Sequence, residues 1–169
     1  MSFIRRYILG RQEGSITLAA GVLTDFVDFT VINADYISIE KRGVFYASSS
    51  SSQTLNIGYL TFTKLSATSI RVTATRLSDG GGAGNIHEFS VLDLNPLFIK
   101  SIQRGQGSEV ITAVDPDHCV LHELGAQYSV DSVDGAPRWK VSLTDTTHVD
   151  QTLSGGGTAD VSWELIEHY

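Results

Sequence analysis

The stretch Phe29–Tyr46, FTVINADYISIEKRGVFY, aligns without a gap with Ile111–Tyr128, ITAVDPDHCVLHELGAQY. Between the identical residues, the apolar residues of the two stretches also fall in the same phase. Four identical pairs fix the alignment: Thr30 and Thr112, Asp35 and Asp117, Gly43 and Gly125, Tyr46 and Tyr128. The match predicts that the chain contains the same small β module twice.

A second ungapped block supports this prediction by placing Leu60–Thr75 over Trp139–Ser154. Each copy then runs through a glycine cluster, at residues 80–82 and 155–157, into a last apolar strand. Pro96 interrupts the chain where the second copy begins. We therefore expect two modules, residues 1–95 and residues 96–169. So short a linker predicts that the modules pack together.

The alternation of apolar and polar residues identifies the secondary structure. In Ser69–Thr75, Ile70, Val72 and Ala74 share one face, which is typical of a half-buried antiparallel strand. Similar runs recur about six times per module, and they include Val110–Val114. The predicted fold is all-β, with two tandem small antiparallel β-sandwich modules of Ig-like or jelly-roll-like type. Four aromatic residues fall on apolar phases and are expected in the cores: Phe62, Phe89, Trp139 and Trp163.

The composition narrows the class of function. A hydrophobic content of 41% and a charged content of 18% are typical of a folded soluble protein. The net charge of −7 argues against nucleic acid as the main partner, because phosphate binding needs clustered Lys and Arg. A single cysteine, Cys119, excludes an internal disulfide framework. The start MSFIRRYILG lacks the apolar run of a signal peptide, and no membrane span is found, so we expect synthesis and folding in cytoplasm.

The segment Asp115–Glu123 is the best candidate for chemistry. His118 and His122 have the i, i+4 spacing of zinc ligands on a helix, with further ligand types nearby. The repeat instead predicts a strand here, which puts the two histidines on one polar face roughly 13 Å apart. Cys119 then occupies a core position. We therefore expect no metal and no cofactor.

Other constellations give no stronger indication of an enzyme. In Asp145–Asp150, His148 and Asp150 are expected to share an exposed strand face. The glycine run at residues 80–84 lacks the lysine and hydroxyl ending of a phosphate-binding loop, and Asp131–Gly135 lacks the carboxylates of a calcium loop. The chain is predicted not to be an enzyme.

Three segments of the second copy resemble a recurrent module of tailed-bacteriophage virion proteins. They are Phe98–Gly105 with its Gln-Arg-Gly turn, Ala113–Asp117 with its Val-Asp-Pro turn, and the closing strand Val161–Glu167. In the first copy, Gln12–Gly14 and Ile32–Asp35 take the places of the two turns. The resemblance implies a non-enzymatic structural part of a phage particle, present in the virion after synthesis in the host cytoplasm.

On this basis we expect a virion component that oligomerises and docks on the capsid as a decoration or cement protein, or on the tail or collar. Its partners would be other virion proteins and further copies of itself, with no nucleic acid and no membrane. The N-terminal segment offers apolar anchors flanked by two arginines. The expected partner-binding residues are Phe3, Ile4, Arg5, Arg6, Tyr7 and Ile8.

Alternatives stay open at this point. The N-terminal segment is equally well explained as an ordinary first strand. The chain is alternatively a module of a tail fibre or spike that binds a host-surface glycan or protein through its loops at residues 48–53, 80–84 and 131–137. A metal-assisted enzyme using Asp117, His118 and His122 is the third hypothesis. The outer-face residues of the two copies differ, with Ser38 and Glu40 against Val120 and His122, which suggests different partners for the two modules.

Overall fold

A computed structural model describes residues 7–19, 21–46, 58–76, 85–129, 138–154 and 158–169. The fold is all-β, as the alternating pattern predicts, and two short 3₁₀ turns, Ala34–Tyr36 and Pro116–His118, precede its third and ninth strands. The strands are β1 Ile8–Leu18, β2 Thr24–Thr30, β3 Ile37–Tyr46, β4 Tyr59–Ser66, β5 Ser69–Thr75, β6 Asn85–Leu94, β7 Ile99–Gln106, β8 Glu109–Val110, β9 Cys119–Ser129, β10 Arg138–Leu143, β11 His148–Ser154 and β12 Thr158–His168. No helix among the described residues is long and apolar enough to cross a membrane.

The strand order repeats along the chain. Strands β1 to β6, called here the first half, form antiparallel sheets in the orders β1-β6-β3 and β2-β5-β4. Strands β7 to β12, the second half, form sheets in the corresponding orders β7-β12-β9 and β8-β11-β10. The correspondence is one of strand order, and the predicted tandem duplication, with its boundary between residues 95 and 96, stays a prediction.

The two halves share one sheet. Strand β4 of the first half pairs with β9 of the second at Tyr59 and Gly125, which joins two three-stranded sheets into the six-stranded order β2-β5-β4-β9-β12-β7. The halves are therefore connected by backbone pairing as well as by the chain between β6 and β7.

Each half encloses its own apolar core between its two sheets. The first core contains Phe89, Ile37 and Val72, which are all fully buried, and Phe62 packs against it. The second core is built around the fully buried Trp163. The sequence thus predicts Phe89, Trp163 and Phe62 correctly.

Trp139 does not join the core expected for it. Its side chain is half-buried on β10, and its indole nitrogen donates a 2.7 Å hydrogen bond to Glu123. An indole N–H needs a partner when it leaves water, and the Glu123 carboxylate supplies one at the surface. Alternation alone does not separate such an amphipathic position from a core position.

The Gln-x-Gly segments are parts of strands and not the turns that the resemblance implies. Gly14 lies in β1 and Gly105 in β7, each under the largest aromatic residue of its core. A Cβ atom at Gly14 would lie 2.7 Å from Phe89, and one at Gly105 would lie 2.3 Å from Trp163. The glycines therefore make room for a buried ring.

The predicted strand Val110–Val114 is mostly absent. Only Glu109–Val110 pairs as β8, and the following residues bond to a loop: the amides of Ile111 and Val114 donate to the carbonyls of Thr147 and Thr146 at 2.8 Å. The apolar side chains Ile111 and Val114 are still buried, which explains their strand-like pattern.

Candidate functional site

The two halves meet face to face across a cleft. The outer face of sheet β1-β6-β3 packs against the outer face of sheet β7-β12-β9 through a third apolar cluster, in which Leu94, Ile99 and Ile166 are buried. The cleft has a volume of about 460 Å³. Its residues are Tyr7, Ile8, Ser38, Glu40, Leu92, Leu94, Val120, His122, Ile166 and His168. A mostly apolar cleft with a few convergent polar groups is the usual form of a binding site.

Equivalent positions of the two halves face each other in this cleft. Alignment of β3 with β9 and of β6 with β12 gives four equivalent pairs in the lining: Ser38 and Val120, Glu40 and His122, Leu92 and Ile166, Leu94 and His168. A cleft lined by equivalent residues of both halves indicates an approximate two-fold axis that passes through it. The outer faces that the sequence assigns to different partners thus line one common space.

Tyr7 lies at this junction. Its hydroxyl group is 2.7 Å from Nδ1 of His168, at the opposite end of the chain, and its ring centroid is 6.3 Å from that of Phe98. Burial raises the pKa of the Tyr7 hydroxyl, and the negative charge of Glu164 adds to this effect. Ile8 pairs with Leu94 at the start of β1. The last two residues of the predicted docking segment therefore contact their own chain.

The other members of that segment, Phe3, Ile4, Arg5 and Arg6, lie outside the described residues. The same is true of the three loops considered for receptor binding, residues 48–53, 80–84 and 131–137. Their roles stay predictions.

A buried ion pair closes one side of the junction. The carboxylate of Glu164 on β12 is fully buried and accepts hydrogen bonds from Nε of Arg104 at 2.7 Å and from Oγ of Ser38 at 2.5 Å. Arg104 also donates to the carbonyl of Ile37, and its guanidinium lies 4.1 Å from the ring centroid of Phe62. Arg104 thereby connects β7 and β12 of the second half to β3 and β4 of the first.

Close backbone packing accompanies this ion pair. Gly125 has φ +118°, and a Cβ atom there would lie 2.9 Å from the carbonyl oxygen of Gly58 and 3.1 Å from Cα of Tyr59. Only glycine fits both the backbone conformation and the space. The neighbouring Leu124 is buried in the core of the first half, although it belongs to the second.

The opposite side of the junction is open and charged. Glu13 accepts hydrogen bonds from Arg11 at 2.7 Å, from Arg42 at 2.5 Å and from Ser90 at 2.9 Å. These bonds, with that of Arg11 the largest effect, lower the pKa of Glu13 to about 2. Arg42 is at the position equivalent to Leu124. Among the described residues, β10 forms no pairing with β3 that would mirror β4 with β9.

The two histidines considered for metal binding are on different elements. His118 ends a 3₁₀ turn and lies 3.1 Å from Asp115, whereas His122 lies on β9 in the cleft. Cys119 packs against the second core as predicted, and burial raises the pKa of its thiol. Within the described ranges, no three His, Cys, Asp or Glu side chains come together as metal ligands would.

His148 is exposed on β11, on the same face as Asp150, and contacts Asp145. Its Nδ1 is 2.9 Å from the carboxylate of Asp145, and Asp150 instead accepts a 2.7 Å hydrogen bond from Thr144. The backbone N–H of Thr147, followed by His148, lowers the pKa of Asp145 to about 2. The turn between β10 and β11 brings Asp145 back over His148, a geometry that strand alternation does not describe.

The residues that join the halves are not evident from the sequence. Arg104, Glu164 and Ser38 stand at polar positions of alternating strands, where exposure to water is the ordinary expectation. The one available signal is a carboxylate in VSWELIE at a position where the first copy has Ser90.

Comparison with protein-family models, curated proteins and solved structures finds no significant match to this chain.

Proposed function

We propose that this protein is a non-enzymatic structural component of a phage virion, which oligomerises and docks on the capsid as a decoration or cement protein, or on the tail or collar. Its main support is the position of Tyr7, which is fixed between the halves by His168 and Phe98. The described part of the docking segment, Tyr7 and Ile8, therefore lies beside the cleft.

The joined halves suit such a role. A shared six-stranded sheet, a buried Arg104–Glu164 pair and an apolar cluster between the halves hold the two sandwiches in one orientation. A block with a fixed shape presents its surfaces to a lattice without losing internal freedom between its two sandwiches on binding, which lowers the entropic cost of assembly.

The docking segment is Phe3, Ile4, Arg5, Arg6, Tyr7 and Ile8. In this proposal Tyr7 and Ile8 fix its base, as their intramolecular contacts allow. Phe3 and Ile4 supply apolar anchors, and Arg5 and Arg6 bind acidic groups on a neighbouring subunit, which the net charge of −7 makes available on a second copy.

Light scattering and electron microscopy test this proposal. The full chain is expected to form oligomers, and a chain lacking residues 1–6 is expected to be monomeric with an unchanged circular dichroism spectrum. Replacing Phe3 and Ile4 by serine separates the apolar anchors from the length of the segment. A full chain that stays monomeric at high concentration would contradict the oligomer, and an oligomer unaffected by the deletion would contradict the docking segment.

Binding of a host-surface glycan is a second candidate, because the outer face of sheet β2-β5-β4 carries an exposed aromatic ring. Phe26 is 50% exposed, and the guanidinium of Arg71, paired with Asp28 at 2.7 Å, lies 3.6 Å from its ring centroid. Threonine hydroxyls flank the ring on the paired strand β5. An aromatic ring beside hydrogen-bonding groups is suited to a sugar ring. Loss of glycan-array binding in Phe26→Ala, compared with Leu65→Ala, would support this function.

A further inference from the structure

His87 is a fully buried histidine whose ring nitrogens have no hydrogen-bond partner within the described ranges. It lies on the inner face of β6, between Ile16 of β1 and Val44 of β3, and its exposed fraction is 0%. A Cβ atom at Gly58 would lie 2.9 Å from the ring, so the backbone before β4 closes directly over it. A buried polar group in this state is costly, and structures that retain one often use it.

The charged groups that act on His87 are both cations. Lys41 reaches it from β3, and Arg76, which is 3% exposed, reaches it from the end of β5. Arg76 is itself fixed, because it donates to the carbonyls of Val22 and Ala19 at 2.9 Å. The negative charge of Glu123 acts on Lys41. The surroundings therefore accept a neutral ring and oppose a third positive charge.

We propose that protonation of His87 at acid pH opens the end of the first half, where β3, β6 and Gly58 meet. This acid-dependent opening is called the release below. A proton on the ring places a positive charge beside Lys41 and Arg76, at a position where no described residue accepts a hydrogen bond from it. The charged ring then leaves the core, and the strands around it separate.

The direction of the pH dependence follows from the environment. Burial first, and then Lys41 and Arg76, lower the pKa of His87 from 6.5 to about 4. An exposed ring in the opened state keeps the ordinary pKa, so the opened state binds more protons between these values. The contribution of neutral His87 to the stability of the closed state is fully present above pH 6.5 and is lost as the pH falls toward 4. Between pH 7.5 and 4.5, the opening equilibrium is expected to rise on the order of 100-fold.

The second half contains an internal control. The position equivalent to His87 is Val161, which is also fully buried. No ring can be protonated there, and the release is confined to the first half.

Hydrogen exchange followed by mass spectrometry tests the proposal on the full chain, with rates corrected for the intrinsic effect of pH. At pH 4.5 the wild type is expected to lose protection in β6 and β3 while β12 stays protected, and His87→Leu is expected to keep protection in all three. His118→Gln, at an exposed histidine, should behave as the wild type. Equal acid loss in His87→Leu and the wild type would overturn the proposal.

A second measurement does not depend on the folding of that variant. The pKa of His87 in the wild type is obtained from the NMR shifts of its ring, assigned with isotope-labelled histidine. A value near 4 supports the release, and a value of about 6 or higher contradicts it. Neither experiment depends on the proposed virion function.

Discussion

Leu124 and Arg42 are at equivalent positions of β9 and β3, but Leu124 is buried in the core of the opposite half while Arg42 is exposed and bonded to Glu13. The apolar residue marks the side where β4 joins β9. The charged residue marks the open side. A buried arginine without a partner would be too costly there, so the pairing forms on one side only.

Leu124 should therefore be essential to the closed side. Leu124→Ala removes side-chain contacts with the first core and is expected to lower the free energy of unfolding by about 2–5 kcal/mol. Chemical denaturation measures this change. Val120→Ala, at an exposed position of the same strand, serves as the matched control and should change the free energy by less than about 1 kcal/mol. A similar effect of both changes would show that Leu124 does not bridge the halves.

The buried pair of Arg104 and Glu164 should behave differently from surface pairs. Glu164→Gln leaves Arg104 with little exposure and with no other ion-pair partner among the described residues, at an expected cost of about 3–5 kcal/mol. Asp28→Asn breaks the exposed pair with Arg71 and should cost less than about 1 kcal/mol. A double-mutant cycle with Arg104→Met isolates the coupling energy. A coupling as small as that of the exposed pair would refute the role of Arg104 as a connector.

Gly125 has both a positive φ and close contacts at its Cβ position, whereas Gly21 has only the positive φ. Gly125→Ala forces a Cβ atom against Gly58 and Tyr59 in addition to the strained φ, whereas Gly21 has φ +79° and nothing within 4 Å of its Cβ position. Gly21→Ala is expected to cost about 1–2 kcal/mol through conformation alone. Gly125→Ala should cost clearly more in a denaturation experiment. Equal costs would mean that β4 moves away readily and does not pack tightly on β9.

Tyr7 provides a prediction at alkaline pH. Because burial and Glu164 raise its pKa, the fold disfavours the ionised ring, and the contribution of Tyr7 to stability is present below pH 10 and is lost above it. Tyr7→Phe removes this pH dependence and the bond to His168, at a cost of about 1 kcal/mol near neutral pH. Thermal unfolding from pH 8 to pH 11 measures both effects. Parallel curves for the two proteins would exclude Tyr7 as the titrating group.

The sequence predicts the all-β fold because each strand reports its inner face through apolar alternation. The strands at Ser69–Thr75 and Glu88–Leu94 follow from that signal, and so does the burial of Phe89 and Trp163. The alternation contains no information about what covers the outer face. Glu164 and Ser38 have the polar character of exposed residues, yet each is covered by the opposite half.

The site between the halves could not be predicted for the same reason. Its construction depends on which outer faces meet, and on a bulge that places Leu124 where alternation would place it differently. Such choices depend on contacts between residues more than a hundred positions apart, such as Ser38 and Glu164.

The approximate two-fold axis has one further consequence. A dimer of identical subunits must carry the same residue at both symmetry-related places, so any change that closes one side also changes the other. Here both places belong to one chain, and each takes its own residue: leucine at 124 and arginine at 42. Covalent linkage thus allows a symmetric arrangement to become polar, with one face committed to internal cohesion and the opposite face free to diversify.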